Sequence, residues 1–166
     1  MTAAEHEAPN APGEGLVKVV VELKPEERQT SAAESMWAGT VSENTYRLRN
    51  SPFYAHGLSF GDTVSARSNE GGLMLTEVTA RGGHSTYRVF LRDGITQRDF
   101  EKAWQPLEGL GCTYEGATKR LLSIDVPPEA DIHEVYRLLQ QGEAEGVWAF
   151  EEGHCGHPLR EQEARP

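Results

Sequence analysis

The sequence predicts an α+β protein in which a small N-terminal β-barrel is followed by a ferredoxin-like domain of element order βαββαβ. Two observations lead to this prediction. Residues 16–80 contain short β-rich segments at about ten-residue spacing, with no convincing helical periodicity. Residues 84–152 read as strand, helix, strand, strand, helix and strand, which is the order of the split βαβ motif.

The first β-rich segment, residues 16–23, is dominated by valine and stops at Lys24-Pro25. Residues 42–44 have the length of a tight hairpin, and Gly71-Gly72 closes another. We expect five or six strands that close into a barrel. Aromatic side chains are expected to form much of the barrel core, namely Trp37, Tyr46, Phe53 and Phe60.

The helices of the second half carry start signals. Thr96 and Asp99 have the spacing of a capping box, and Asp131 can cap a second helix that begins at Ile132. The Gly82-Gly83 pair interrupts the β pattern and marks the domain junction. The predicted organisation is a disordered tail (1–15), a β-barrel (16–81), a ferredoxin-like domain (82–155) and a second disordered tail (156–166).

The composition excludes several classes of partner. Against 26 acidic residues there are 16 basic ones, which gives a formal net charge of −10. Because phosphate groups repel such a surface and the basic residues form no run, we expect no binding to nucleic acid or to membranes. The start of the chain lacks the features of a signal peptide, and two cysteines without an export signal indicate reduced thiols. These features predict a cytoplasmic protein.

The ferredoxin-like order brings several strand ends to one edge of the predicted sheet, which we call the rim. The first strand begins near His84 and the fourth ends at His154 and Cys155, with His157 just beyond. Imidazole and thiolate ligands suit zinc, so these four residues are candidate metal ligands. Neighbouring side chains in an extended segment point to opposite faces, however, so polar residues at a strand end are the alternative interpretation.

The same rim offers a second chemical hypothesis. Cys155 could act as a nucleophile with His154 or His84 as its base, oriented by Glu151 or Glu152. Neither a nucleophile elbow nor a helix N-terminus visibly activates this thiol. Cys155 and His154 are therefore catalytic candidates only within an enzyme hypothesis, and the sequence favours a protein that is not an enzyme and has no cofactor.

A binding site is expected where the barrel faces the second domain, because pockets favour domain interfaces. Its candidate ligand-binding residues come from two segments of the chain. They are Tyr54, His56, His84, Ser85 and Thr86. An open edge strand could also pair with an extended peptide or with a second copy, which would form a homodimer.

Several stretches, taken in order, carry a family resemblance: NSPFYAHG at 50–57, FGD at 60–62, GHSTYR at 83–88, LGCTYE at 110–115, GVW at 146–148 and EEGHC at 151–155. Together they resemble a small bacterial family known only as domain of unknown function 4265. The resemblance covers about residues 16–155 and implies a bacterial, cytoplasmic, stand-alone protein. It implies no activity, cofactor or catalytic residue.

The function predicted from the sequence is that of a non-catalytic cytoplasmic module for binding or regulation. It would recognise a protein, a peptide or a small ligand at the cleft between the domains. Two alternatives stay open. One is a metal- or thiol-dependent enzyme that uses His84, His154 and Cys155, and the other is an acidic immunity or inhibitor protein that neutralises a basic partner.

Overall fold

The computed structural model describes residues 15–159 and confirms the α+β class, with nine strands, two α-helices and a 3₁₀ helix at Pro25–Glu27. The elements are β1 (Leu16–Glu22), β2 (Ala33–Ser42), β3 (Thr45–Leu48), β4 (Thr63–Asn69), β5 (Gly72–Ala80), β6 (Ser85–Leu91), α1 (Gln97–Gly109), β7 (Thr113–Gly116), β8 (Leu121–Val126), α2 (Ile132–Ala144) and β9 (Trp148–His154). The predicted tails lie largely outside the described residues. Residues 156–159, assigned to the second tail, are described, and His157 is buried.

Strands β1 to β5 form the first sheet, which closes on itself because β1 pairs with β5 in parallel as well as with β2. Register shifts in the pairing of β2 with β3 and of β4 with β5 add the local twist that such closure needs. The side chains that fill the inside are aliphatic. They are Val19, Val21, Leu23, Met36, Ala38, Leu48, Ala55, Leu58, Val64 and Ala66.

The expected aromatic core of the first sheet is wrong for Trp37, Phe53 and Phe60, which are partly buried and lie outside the core, whereas the partly buried Tyr46 packs against it. The alternation of β2 explains the case of Trp37. Met36 and Ala38 point into the core, so Trp37 lies on the opposite face, where the Lys18 ammonium sits 5.3 Å from its ring centroid.

Residues 50–62 form a long connection without a strand or helix, which we call the bridging loop. Gly57 and Gly61 both have φ of +87°, a conformation that interrupts extended pairing and that glycine adopts most readily. The backbone N–H groups of Phe53, Tyr54 and Ala55 donate to the buried Glu34 carboxylate instead of to a neighbouring strand.

The second sheet has the order β7-β8-β6-β9, with every neighbouring pair antiparallel. Both helices pack on one face and enclose the larger core. The predicted caps are confirmed: Thr96 and Asp99 form the capping box of α1, and Asp131 accepts hydrogen bonds from the first turn of α2. Helix α1 continues through Pro106 to Gly109. Neither α1 nor α2 is long and apolar enough to cross a membrane, and the same holds for every helix of residues 15–159.

Candidate functional site

The face of the second sheet opposite the helices is the surface on which a site is built. Side chains alternate along each strand, so Tyr87 and Val89 enter the helix-covered core whereas Arg88 and Ser123 point to the other face. One polar row crosses the whole sheet, from β7 to β9: Glu115, Ser123, Arg88 and Glu151. An apolar row lies beside it, formed by Leu121, Phe90 and Ala149.

The bridging loop lies across part of this open face and joins the two sheets. The Ser123 hydroxyl donates to the Pro52 carbonyl oxygen at 2.8 Å, and the Thr86 hydroxyl donates to the Leu58 carbonyl oxygen at 3.0 Å. The Gly57 N–H donates to the Gly153 carbonyl oxygen at 2.9 Å. Each bond satisfies a polar group that the contact between the sheets would otherwise desolvate.

Arg88 is the charged residue at the centre of this contact. Its side chain is only 2% exposed, and its Nε donates to Glu151 Oε2 at 2.9 Å. The guanidinium also donates to the carbonyl oxygen of Ala55 at 2.9 Å, with longer contacts to those of Pro52 and Tyr54. The N–H donors of Arg88 are directed at groups of the protein itself, so this guanidinium has a structural role: it links the second sheet to the bridging loop.

Two further carboxylates hold the bridging loop from the side of the first sheet. Burial raises the pKa of Glu34 even though three backbone N–H groups stabilise its ionised form. Burial opposes the ionisation of Glu27 as well, but hydrogen bonds from the N–H groups of Lys24 and His56 and from the His56 ring prevail and lower its pKa. His56 Nδ1 lies 3.3 Å from Glu27 Oε2.

The first and second sheets, each with the loops and helices that pack on it, form two units of the protein. A cavity of about 690 Å³ lies between these two units, where the bridging loop leaves the open face of the second sheet uncovered. Its apolar floor includes Phe90, which is 50% exposed, and Leu121. Tyr54 lines it from the bridging loop. Its ionised lining consists of three glutamates against one arginine, namely Glu26, Glu27, Glu151 and Arg88. Because the carboxylates outnumber the guanidinium, the lining carries a net negative charge, and the field in the cavity favours a cation.

The structure brings together only part of the predicted binding set. Tyr54 and His56 line the cavity. Ser85 and Thr86 are fully buried at the start of β6 and do not line the cavity. His84 lies away from the cavity, with its Nδ1 2.7 Å from Asp125 Oδ1 and its ring 5.1 Å from that of Phe60.

The four candidate metal ligands do not assemble into one ligand set. Both ring nitrogens of His157 are in use, with Nδ1 2.7 Å from the Ser85 hydroxyl and Nε2 2.9 Å from the Pro127 carbonyl oxygen. The nearest polar partner of His84 is Asp125. Within the described residues, no group of three or more His, Cys, Asp or Glu side chains is arranged to hold a metal ion.

The candidate nucleophile is similarly placed in a structural contact. The Cys155 thiol donates weakly to the His157 carbonyl oxygen at 3.6 Å. His154 Nε2 is buried with no hydrogen-bond partner among residues 15–159, and burial lowers the pKa of this imidazole. The other thiol, Cys112, is buried, which raises its pKa to about 12.

Sequence reasoning missed the residues that organise this site, above all Arg88, Glu34 and Glu27. A signal was available for Arg88: it is the one charged position within the β6 run STYRVFL. A charge in a strand with neighbours on both sides requires a buried partner. Glu34 gave no comparable signal, because its partners are backbone N–H groups about twenty positions along the chain. Glu27 gave none either, because its bonds to the backbone and ring of His56 join positions 29 apart.

Comparison with known proteins agrees with this fold. The family described as "Domain of unknown function (DUF4265)" matches residues 34–150, which is most of the chain. The protein belongs to this family. No curated protein matches the chain. A solved structure, described as a novel crystal structure of a hypothetical protein from Neisseria gonorrhoeae, has a TM-score of 0.70 at 16% identity and covers 83% of this chain and 93% of its own. Membership of the DUF4265 family confirms the predicted resemblance. The likeness to the solved structure concerns the fold alone.

Proposed function

We propose that this protein is a non-catalytic binding module of the bacterial cytoplasm, which holds a ligand in the cavity between its two units. The ligand carries a positive charge next to an apolar group. In this proposal the closed first sheet is a small β-barrel and the order β7-β8-β6-β9 is ferredoxin-like. The observation that carries the proposal is a cavity with an aromatic and aliphatic floor and an excess of glutamate.

The size and lining of the cavity support a binding role. A volume of about 690 Å³ lies in the range of small-ligand and peptide sites. Phe90 lines the cavity and is 50% exposed, with the Arg120 guanidinium 5.1 Å from its ring centroid, although it sits in a central strand where a large apolar side chain is ordinarily covered. Glu26 and Glu151 are both exposed, so a cation can reach either carboxylate from solvent, although Glu151 Oε2 already accepts a hydrogen bond from Arg88.

The non-catalytic part of the proposal rests on how the reactive groups are engaged. Arg88 and Glu27 in the cavity are bonded to the bridging loop, and the rim histidines His84 and His157 are bonded to Asp125 and Ser85. A general acid or base must reach the substrate proton. Arg88 and Glu27 instead hold the bridging loop in place, and the two histidines make structural bonds beside the second sheet.

A charge series on one ring system tests the proposal. Tryptamine, tryptophol and indole-3-acetate share an indole and carry a positive, neutral and negative substituent, respectively. Nuclear magnetic resonance titration is expected to shift the amides of Phe90, Ala149 and Glu151, with tryptamine binding about tenfold more tightly than indole-3-acetate at low salt. Equal affinity for all three probes, or shifts confined to other surfaces, would contradict the proposal.

Two variants locate the binding and its charge dependence. Ala149→Trp places a large ring over the apolar row and is expected to abolish the binding of tryptamine while the protein stays folded. Glu26→Gln together with Glu151→Gln should remove most of the preference for tryptamine. Glu70→Gln, at an exposed position in the turn between β4 and β5, is the matched control and should leave the preference unchanged.

A further inference from the structure

We propose that the natural occupant of this cavity is an extended basic peptide that adds a strand to the outer edge of β9. This inference rests on the proposed function and specifies its ligand. Three features support it: an edge with unpaired backbone groups, a cavity that extends as far as β9, and negative charge along this strand. Strand addition of this kind draws its affinity from main-chain hydrogen bonds and its specificity from alternate side chains.

The hydrogen-bond pattern of β9 identifies which backbone groups are unpaired. The Arg92 N–H donates to the Val147 carbonyl oxygen at 3.0 Å, so residues 92 and 147 form a hydrogen-bonded pair. Antiparallel pairs alternate between bonded and non-bonded. Ala149 and Glu151 therefore direct their backbone groups at β6, with which they pair through Phe90 and Arg88.

It follows from this alternation that Phe150 and Glu152 direct their N–H and C=O groups away from β6. Strand β9 is at the end of the sheet, so no strand lies on that side. The pairing of β9 with β6 shifts register between Glu152 and His154, so Gly153 departs from this alternation. Among residues 15–159, the one backbone hydrogen bond made to the outer edge is from the Gly57 N–H to the Gly153 carbonyl oxygen. The edge is capped at one end by the bridging loop and is open at Phe150 and Glu152.

The cavity extends as far as β9. Ala149, Phe150 and Glu151 all contribute to its lining, although the Phe150 ring packs on the other face, 5.5 Å from that of Tyr136. The part of Phe150 that faces the cavity is thus its backbone. Strand β9 also lacks the lysine or proline with which proteins commonly protect an exposed edge.

Charge selects a basic peptide over a second copy of this chain. Glu151 and Glu152 are exposed on opposite faces of the β9 edge, and Glu26 is exposed across the cavity. A strand added there would present its alternate side chains to Glu151 on one face and to Glu152 on the other. A second copy of the chain would place its own β9 glutamates next to these carboxylates. The two copies would repel each other, since each carries a net charge of −10.

The test uses a synthetic probe, the acetylated and amidated heptapeptide KVKVKVK, and its acidic counterpart EVEVEVE. Two further versions of the basic peptide carry N-methyl groups, one on its valines and the other on its central lysines. In an extended strand these two sets of N–H groups point to opposite edges. We expect one methylated peptide to bind about as well as the parent and the other at least about tenfold more weakly, with no binding of the acidic peptide.

Amide hydrogen exchange gives the second readout. On saturation with the parent peptide, the Phe150 and Glu152 amides should become at least about tenfold more protected. The amides of Ala149 and Glu151, which already bond to β6, serve as internal controls and should change little. Equal binding of both methylated peptides, or binding that leaves the Phe150 and Glu152 amides unprotected, would overturn strand addition.

The outcomes separate this inference from the proposed function. If tryptamine binds in the cavity and the basic peptide does not bind, strand addition is overturned while a cationic binding cavity stands. If neither binds, both proposals fail. If sedimentation shows a dimer of the free protein whose Phe150 and Glu152 amides are protected, the edge belongs to a second copy and the peptide proposal is overturned.

Discussion

Arg88 on β6 and Glu151 on β9 face each other across an antiparallel pair, with 2.9 Å between Nε and Oε2. The arginine is 2% exposed and the glutamate 56%, so the pair runs from the interior contact between the two units to the cavity. On its other side the guanidinium donates to carbonyl oxygens of the bridging loop, including that of Ala55 at 2.9 Å. One side chain thereby connects β9, the cavity and the loop from the first sheet.

Replacing Arg88 by methionine is expected to lower the free energy of unfolding by about 2–4 kcal/mol, because buried carbonyl oxygens of the bridging loop lose their donors. Urea denaturation followed by tryptophan fluorescence measures this change. Arg67→Met, on the exposed part of β4, is the matched control and should change stability by less than about 0.5 kcal/mol. Similar losses in both variants would show that the internal bonds of Arg88 contribute little.

Two helical glycines provide a matched pair for the packing of the second core. A Cβ at Gly142 in α2 would lie 2.4 Å from the Trp148 ring, whereas one at Gly109, the last residue of α1, would have no heavy atom within 4 Å. Alanine has a higher helix propensity than glycine, so propensity alone would favour alanine at both positions. Gly142→Ala should therefore destabilise by about 1–3 kcal/mol and Gly109→Ala should be neutral or slightly stabilising in thermal or urea unfolding. A stabilised Gly142→Ala variant would contradict this packing.

The two thiols are expected to differ in accessibility. Cys112 is buried with its pKa raised to about 12, whereas Cys155 is partly exposed. Ellman's reagent at pH 8 should titrate one thiol in the native protein and two in guanidinium chloride. Cys155→Ser should remove the native reaction, and Cys112→Ser should retain it. Rapid reaction of both thiols in the folded protein would show that the second core opens readily.

The elements that could be predicted from the sequence are those set by neighbouring residues. The capping box of Thr96 and Asp99 and the cap at Asp131 act within three or four positions, and the helices begin where these residues predict. The features that could not be predicted from the sequence depend on contacts between residues far apart in the chain. Arg88 meets carbonyl groups more than thirty positions earlier in the chain, and nothing in the local pattern around it identifies those partners.

The bridging loop illustrates the same limit. Its aromatic and glycine-containing segment has local features of a strand, yet its N–H groups bond to Glu34, about twenty positions away. Because this loop adopts a path fixed by that carboxylate, it covers only part of the open sheet face and leaves the cavity. The candidate site is thus a product of tertiary contacts. Tyr54 and His56, which line it, were predicted as binding residues from their expected position between two domains and not from a motif.

Glu115 is expected to make stability depend on pH. Burial, reinforced by the charge of Asp125, raises the pKa of Glu115 from 4.5 to about 7, and its Oε1 is buried without a hydrogen-bond partner among residues 15–159. The folded protein then holds this proton more tightly than the unfolded chain does. The stability that the protonated form contributes is complete below about pH 4.5 and is lost as the pH rises through about 7.

Glu115→Gln keeps this position neutral at every pH, so the variant should match the wild type near pH 4.5 and exceed it at pH 8 by on the order of 2–3 kcal/mol. Urea unfolding of both proteins between pH 4.5 and pH 8 measures this difference in the free energy of unfolding. Contributions common to both proteins, such as those of the raised pKa values of Glu34 and Asp125, largely cancel in the difference. Glu77→Gln, at an exposed position of β5, should give a flat difference. A flat difference for Glu115→Gln as well would mean that this carboxyl ionises in the folded protein as easily as in the unfolded chain.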